Sequence, residues 1–154
     1  MLVAVDFSSG AEAAFEWAAD LASAIGAPLY VLHVAHDPLD EPGYYSMAGR
    51  GEVPRIEEVG REMLDAFMRA EREKRPGLAD LAGVESELVV GLPVTRILEV
   101  AEREGAQVIV MGGKGRTALA DALLGSKVER VAHLSPIPVV VVKTGPGAAP
   151  AEAL

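Results

Sequence analysis

Short, continuously apolar runs alternate along this chain with longer stretches whose apolar residues recur at helical spacing. The first run is Leu2 to Val5, ending at Asp6. A run apolar at every position reads as a strand buried on both faces. Ser9 then stands three residues before Glu12, the spacing of a capping box. Phe15, Ala18, Ala22 and Ile25 follow on one helical stripe, and Gly26 and Pro28 supply the stop. Leu29 to Val34 is a second apolar strand. From His36 to Val53 the pattern lapses among Pro38, Pro42, Gly43 and the glycines flanking Arg50. A long exposed loop is predicted there, of a length that is often functional in a small domain. Pro54 opens the next helix, with Ile56, Val59, Met63, Phe67 and Ala70 as its buried stripe and Arg75-Pro76-Gly77 as its end.

Val84 to Val90 alternates at first, with Glu85 and Glu87 on one parity, and is predicted to be an edge strand. Pro93 to Glu104 is a third helix with Val94, Ile97, Leu98 and Ala101 inward, closed by Gly105. Val108 to Met111 is a fourth strand. A glycine cluster and a helical stretch interrupted at Gly125-Ser126 come next, and Pro138 to Val142 is the last strand. Strands alternating with helices at this spacing imply a mainly parallel sheet covered on both faces. The fold class expected is α/β: an open, doubly wound, five-stranded, Rossmann-like sheet with strand order 3-2-1-4-5. Ligands of such sheets sit beyond the carboxyl ends of the strands, at the switch point of the strand order. Residues 1–143 form the expected domain, and the Gly-, Pro- and Ala-rich residues 144–154 a frayed tail.

Composition narrows the chemistry. The 154 residues are 50% hydrophobic and 24% charged, the balance of a folded globular domain rather than a disordered one. There is no cysteine, which removes disulfides, thiolate catalysis and cysteine-held metals. The net charge of −9 repels phosphate backbones, so nucleic acid is not an expected partner. No run approaches the ~18 apolar residues of a membrane span, and Met1 to Asp6 reads as a strand rather than a signal peptide. A cytoplasmic location is the expectation.

The candidate chemistry concentrates between Met111 and Lys127. Met111-Gly112-Gly113-Lys114-Gly115-Arg116 follows a buried strand directly. Glycines there let backbone N–H groups approach an anion, and Lys114 and Arg116 add positive charge to an acidic chain. Gly125-Ser126-Lys127 opens a helix whose free N–H groups and dipole make a second anion site. Each half alone has a ligand-free reading: the glycines as a tight turn, Ser126 with Glu129 as a capping box. Together, with two cations in the first loop, they favour a polyphosphate. The stretch is not a P-loop, because Gly113-Lys114 is followed by Gly115 instead of Ser or Thr. Gly113, Gly115 and Ala118 match the dinucleotide fingerprint but follow the fourth strand, not the first, so that match is accidental.

The spacing Gly112-x2-Gly115-x9-Gly125-Ser126 resembles the glycine motif of the ATP-binding branch of the universal stress protein family. Val3-Ala4-Val5-Asp6, Leu32-His33-Val34 and Val108 to Gly112 are similar to that family's first, second and fourth strands. The resemblance implies that Ala4, Val5 and Asp6 line the adenosine end of an ATP site. It puts the backbone of Val34 at the adenine edge, and Met111, Gly112, Gly113, Lys114, Gly115 and Arg116 around the phosphates. Gly125, Ser126 and Lys127 would hold the distal phosphates, and Mg2+ would arrive bound to ATP rather than caged by protein. It also implies a homodimer through Pro138 to Val142, a strand whose bare apolar edge needs a partner. Asp6 has a competing reading as an Asx turn or a helix-end contact.

No residue stands out as a base to orient water, so hydrolysis is expected to be slow at most. The expected function is a nucleotide-dependent regulatory switch acting on an unidentified protein partner. The alternatives are a nucleotide-free dimeric scaffold and a slow ATPase or adenylyl-transfer enzyme. His33 and His36 lack a third ligand nearby, so no metal site is expected. The acidic residues Glu57, Glu58, Glu62 and Glu71 are read as solvated helix faces.

Overall fold

The computed structural model describes residues 1–36, 56–77, 83–113 and 124–144. In chain order it contains β1 (Leu2–Ala4), α1 (Ser9–Ile25), β2 (Leu29–Ala35), α2 (Ile56–Lys74), β3 (Val84–Val90), α3 (Pro93–Arg103), β4 (Ile109–Gly112), α4 (Ser126–Leu134) and β5 (Val139–Val142). The sheet is parallel throughout, in the order β3-β2-β1-β4-β5. The predicted fold and strand order are the observed ones, and β3 is an edge strand as its alternation suggested.

Two cores flank the sheet. Val3, Val5, Val31 and Val110 pack under α1 and α2, with Phe15, Ala18, Leu64 and Phe67 above them. Leu2, Leu32, Ile109 and Met111 pack under α3 and α4, with Ile97, Val100, Val128 and Val131. Residues two apart on a strand share a face, so each apolar run feeds both cores at once. The chain turns back between β1 and β4, where neighbouring strands lead to helices on opposite faces.

Several boundaries differ from the sequence reading. Ser8, not Ser9, caps α1: its Oγ accepts from the Ala11 N–H at 3.2 Å. Ile25, placed on the inward stripe, is 62% exposed because α1 ends there and Gly26 turns away at φ +64°. In α2 the predicted Ile56, Val59, Met63 and Phe67 do pack against the core, joined by buried Gly60, Leu64, Met68 and Glu71, whereas Ala70 is exposed. The inward face extends to the side of Gly60, which lies close against β3: a Cβ there would lie 2.7 Å from Leu88 Cδ1. That wider face includes Glu71, which was read as part of a solvated face. It is 1% exposed, and Lys74 Nζ donates to its Oε1 at 2.7 Å. The predicted loop, His36 to Val53, lies outside the described residues apart from His36, and so does the tail beyond Thr144.

Candidate functional site

Three chain segments meet where the strand order reverses. The first is the end of β1. Ala4 lies in register between Leu32 and Met111. Val5 continues the ladder, its N–H donating to the Leu32 carbonyl at 2.9 Å. The chain then leaves the sheet in an Asx turn, with Asp6 Oδ1 accepting from the Ser8 N–H at 3.1 Å and the Ser8 hydroxyl at 2.5 Å. Between them Phe7 has φ +62°, a left-handed conformation that is uncommon for a bulky aromatic residue and is found chiefly where surrounding structure enforces it. The competing reading of Asp6 is therefore realised: through Oδ1 it shapes the turn that starts α1.

The second segment is the end of β4. A Cβ on Gly112 would fall 2.5 Å from the Gly10 carbonyl carbon and oxygen and 2.9 Å from Ala11 N. Only glycine lets the first turn of α1 come this close to β4. Gly112 is thus required by packing, whatever else it does. Gly113 is buried, and its N–H donates to the Val142 carbonyl at 2.7 Å.

The third segment is the start of α4. Gly125 is the N-cap, and among the described residues no side chain caps this helix. The Ser126–Glu129 capping box is not formed, because Ser126 is already the first helical residue. Instead the Gly125 N–H donates to the Gly113 carbonyl at 2.9 Å, tying the start of α4 to the end of β4. Ser126 and Lys127 are exposed there. An uncapped helix start leaves first-turn N–H groups and the positive end of the dipole available to an anion.

Ala4, Val34 and Met111 face the core under α3 and α4, whereas Val5 faces α1. Of the residues singled out from sequence, Ala4, Val5, Asp6, Met111, Gly112, Gly113 and Gly125 are joined by these ladders and hydrogen bonds. Ser126 and Lys127 follow Gly125 directly. Val34 lies two residues beyond Leu32 on β2. Lys114, Gly115 and Arg116 lie outside the described residues.

Sequence reasoning missed Phe7, Ser8, Gly10 and His33. His33 is 3% exposed, and its Nδ1 lies 2.8 Å from the Val5 carbonyl. A signal existed for Ser8 in the Asp6-x-Ser8 spacing, and for His33 in its inward parity on β2. Nothing local marks Phe7 for a positive φ.

A doubly wound parallel sheet with a helix start drawn to its switch point defines a class of α/β fold whose ligands, where they have them, lie beyond the carboxyl ends of the strands. The sequence model of the universal stress protein family matches residues 1–143, and the chain belongs to that family. A universal stress protein of Thermus aquaticus is 37% identical over 146 residues, covering 93% of this chain and 97% of its own. One from Bacillus subtilis is 31% identical over 147 residues, covering 93% and 97%. Among solved structures, a universal stress protein of Archaeoglobus fulgidus in complex with dAMP superposes with a TM-score of 0.62 at 26% identity, covering 92% of this chain and 95% of that one.

Proposed function

We propose that this protein binds an adenine nucleotide, ATP with its Mg2+ foremost, at the junction of β1, β4 and α4, and works as a nucleotide-dependent switch. The observation that carries this reading is the uncapped start of α4 held against the end of β4 by the bond from Gly125 to Gly113. The residues present fit the ligand. Ser126 and Lys127 would meet phosphates, and Lys114, Gly115 and Arg116 would complete the loop by sequence position. Ala4, Val5, Asp6 and Val34 would line the nucleoside end. The dAMP complex of the Archaeoglobus fulgidus relative supports an adenine nucleotide as the ligand class. The chain's own contribution is binding and orientation, with little or no hydrolysis.

Dimerisation through β5 belongs to the same reading. β5 is an edge strand whose four valines are all only partly buried, and a second chain would cover them. A second reading, a nucleotide-free dimeric scaffold, draws on the packing role of Gly112 and the turn role of Asp6, since neither needs a ligand.

Thermal unfolding with Mg-ATP, ADP, AMP, dAMP and GTP separates the two, because a ligand that binds the native state raises the midpoint by mass action. Ser126→Glu is the matched variant. It places a carboxylate at the first turn, which suits the helix and repels phosphate. The expected result is a rise with ATP in wild type that is absent in the variant, with the ligand-free midpoint unchanged or higher. No rise with any nucleotide would put the scaffold first.

A further inference from the structure

We propose that His33 is the positioning residue of the nucleotide site: its imidazole, acting from inside the core, holds the β1–α1 turn in its ligand-receiving shape. The proposal rests on the nucleotide reading above. His33 is buried, at 3% exposed, so the role proposed for it is support from inside the core. It lies on the face of β2 that packs toward α1 and α2, on the parity of Val31 and Ala35. From there Nδ1 meets the Val5 carbonyl at 2.8 Å. A carbonyl only accepts, so Nδ1 carries the proton, and the tautomer is assigned by the geometry.

The bond falls at the point where β1 ends. The Val5 N–H still belongs to the sheet, but the next residues leave it. Val5 is 4% exposed, so its carbonyl has little access to water and needs a protein donor. The same imidazole also supports the residue with the unusual backbone. The Phe7 ring lies on His33, with centroids 4.2 Å apart and planes tilted by 38°, and reaches Phe67 at 5.7 Å. His33 therefore grips the turn twice, at the carbonyl before Asp6 and at the ring after it. Phe7 at φ +62° is held by that packing, and the conformation hands Asp6 Oδ1 to Ser8, which in turn caps α1. Loss of the donor would free the Val5 carbonyl to seek water and let the turn relax toward ordinary φ values. Asp6 and the first turn of α1 would then drift from the end of β4.

Two substitutions split the ring from the donor. His33→Phe keeps a ring against Phe7 and removes the N–H. His33→Asn keeps an amide N–H near the position of Nδ1 and removes the ring. Affinity for Mg-ATP is read by calorimetry, and amide exchange at Ser8 and Ala11 by NMR. The expected result is a loss of about tenfold in affinity for His33→Phe, of the order of typical coupling between a site and its support. Exchange at Ser8 and Ala11 should be faster while β4 amides stay protected, and His33→Asn should recover affinity to within about threefold of wild type. In wild-type protein the Nδ1–H resonance should also shift on addition of Mg-ATP, a test that needs no variant to fold. Binding by His33→Phe within about twofold of wild type, or an unmoved Nδ1–H resonance in a protein that does bind, would overturn the proposal alone. Wild-type protein that binds no nucleotide would bring down the nucleotide reading, and this one with it.

Discussion

The two ends of the sheet are fastened by different chemistry. At the carboxyl end, α1 and α4 are secured by backbone groups and small residues: Gly112 against Gly10, Gly125 to Gly113, Ser8 and Asp6 in an Asx turn. Toward the amino end, α3 is secured by charged and phenolic side chains. Tyr30 donates to Glu87 Oε2 at 2.6 Å, and Arg103 bonds to Glu87, to the Tyr30 oxygen at 3.2 Å and to Glu104 at 2.7 Å. The α1–α2 seam is of the second kind, with Lys74 reaching Glu12 at 3.8 Å and Arg75 on Asp20. Backbone fastening leaves the first-turn N–H groups of α4 without a side-chain partner among the described residues. Side-chain pairing elsewhere uses its charges to hold the layers together.

Four measurements sharpen or break this contrast. The largest effect is expected from Gly112→Val, whose added carbons collide with backbone that cannot rotate away. The cost should exceed about 3 kcal/mol in denaturant unfolding. Gly77→Ala, with nothing within 4 Å of its Cβ, should change stability by less than about 0.5 kcal/mol. Equal midpoints for the two variants would remove the close approach of α1 to β4.

Next in size is Lys74→Met, which strips the cation from a carboxylate that is 1% exposed and whose Oε2 already lacks a hydrogen-bond partner. Because Nζ is half in water, a loss of about 2 kcal/mol is expected rather than the full penalty of a buried pair. Adding Glu71→Leu should restore most of it. A double variant as unstable as the single one would show that the carboxylate is not the source of the loss.

Ser8→Ala should cost about 1 kcal/mol through the lost cap. The smallest effect is electrostatic. Burial first, and then the hydrogen bond to Glu87, pushes the Tyr30 phenol up to about 12 from its ordinary value of 10.0. Burial opposes ionisation of Glu87, but the bonds from Tyr30 and Arg103 outweigh it and hold that carboxyl below its ordinary range. A phenol raised on folding stabilises the native state fully below pH 10.0 and loses that contribution as pH climbs toward 12. In a phenolate absorbance titration the latest-titrating component should vanish in Tyr30→Phe. If it persists, the amino-end cluster does not hold Tyr30 protonated.

Much of the architecture was legible along the chain. Val3, Val31 and Val110 feed one core while Leu2, Leu32 and Ile109 feed the other, so runs apolar at every position could belong only to strands buried on both sides. The glycine spacing from Gly112 to Gly125 pointed to the switch point and to family membership. Helix settings were less legible. α2 buries the predicted Phe67, but its inward face extends to the side of Gly60, close against Leu88, and includes Glu71 while Ala70 is exposed. The capping boxes at Ser9 and Ser126 satisfied a local rule, yet the helices start one residue earlier or are capped by glycine, because Asp6 captures Ser8 and Gly113 captures Gly125.

By itself, then, the sequence determined which segments are strands and helices, the α/β class and the location of the candidate site, since these follow from hydrophobic period and glycine position. Tertiary structure decided why Gly112 must be glycine, why Phe7 holds a left-handed backbone and why His33 faces the core. Those outcomes depend on atoms brought together from β1, β2, β4 and α1, and no local pattern encodes a distance between segments so far apart in the chain.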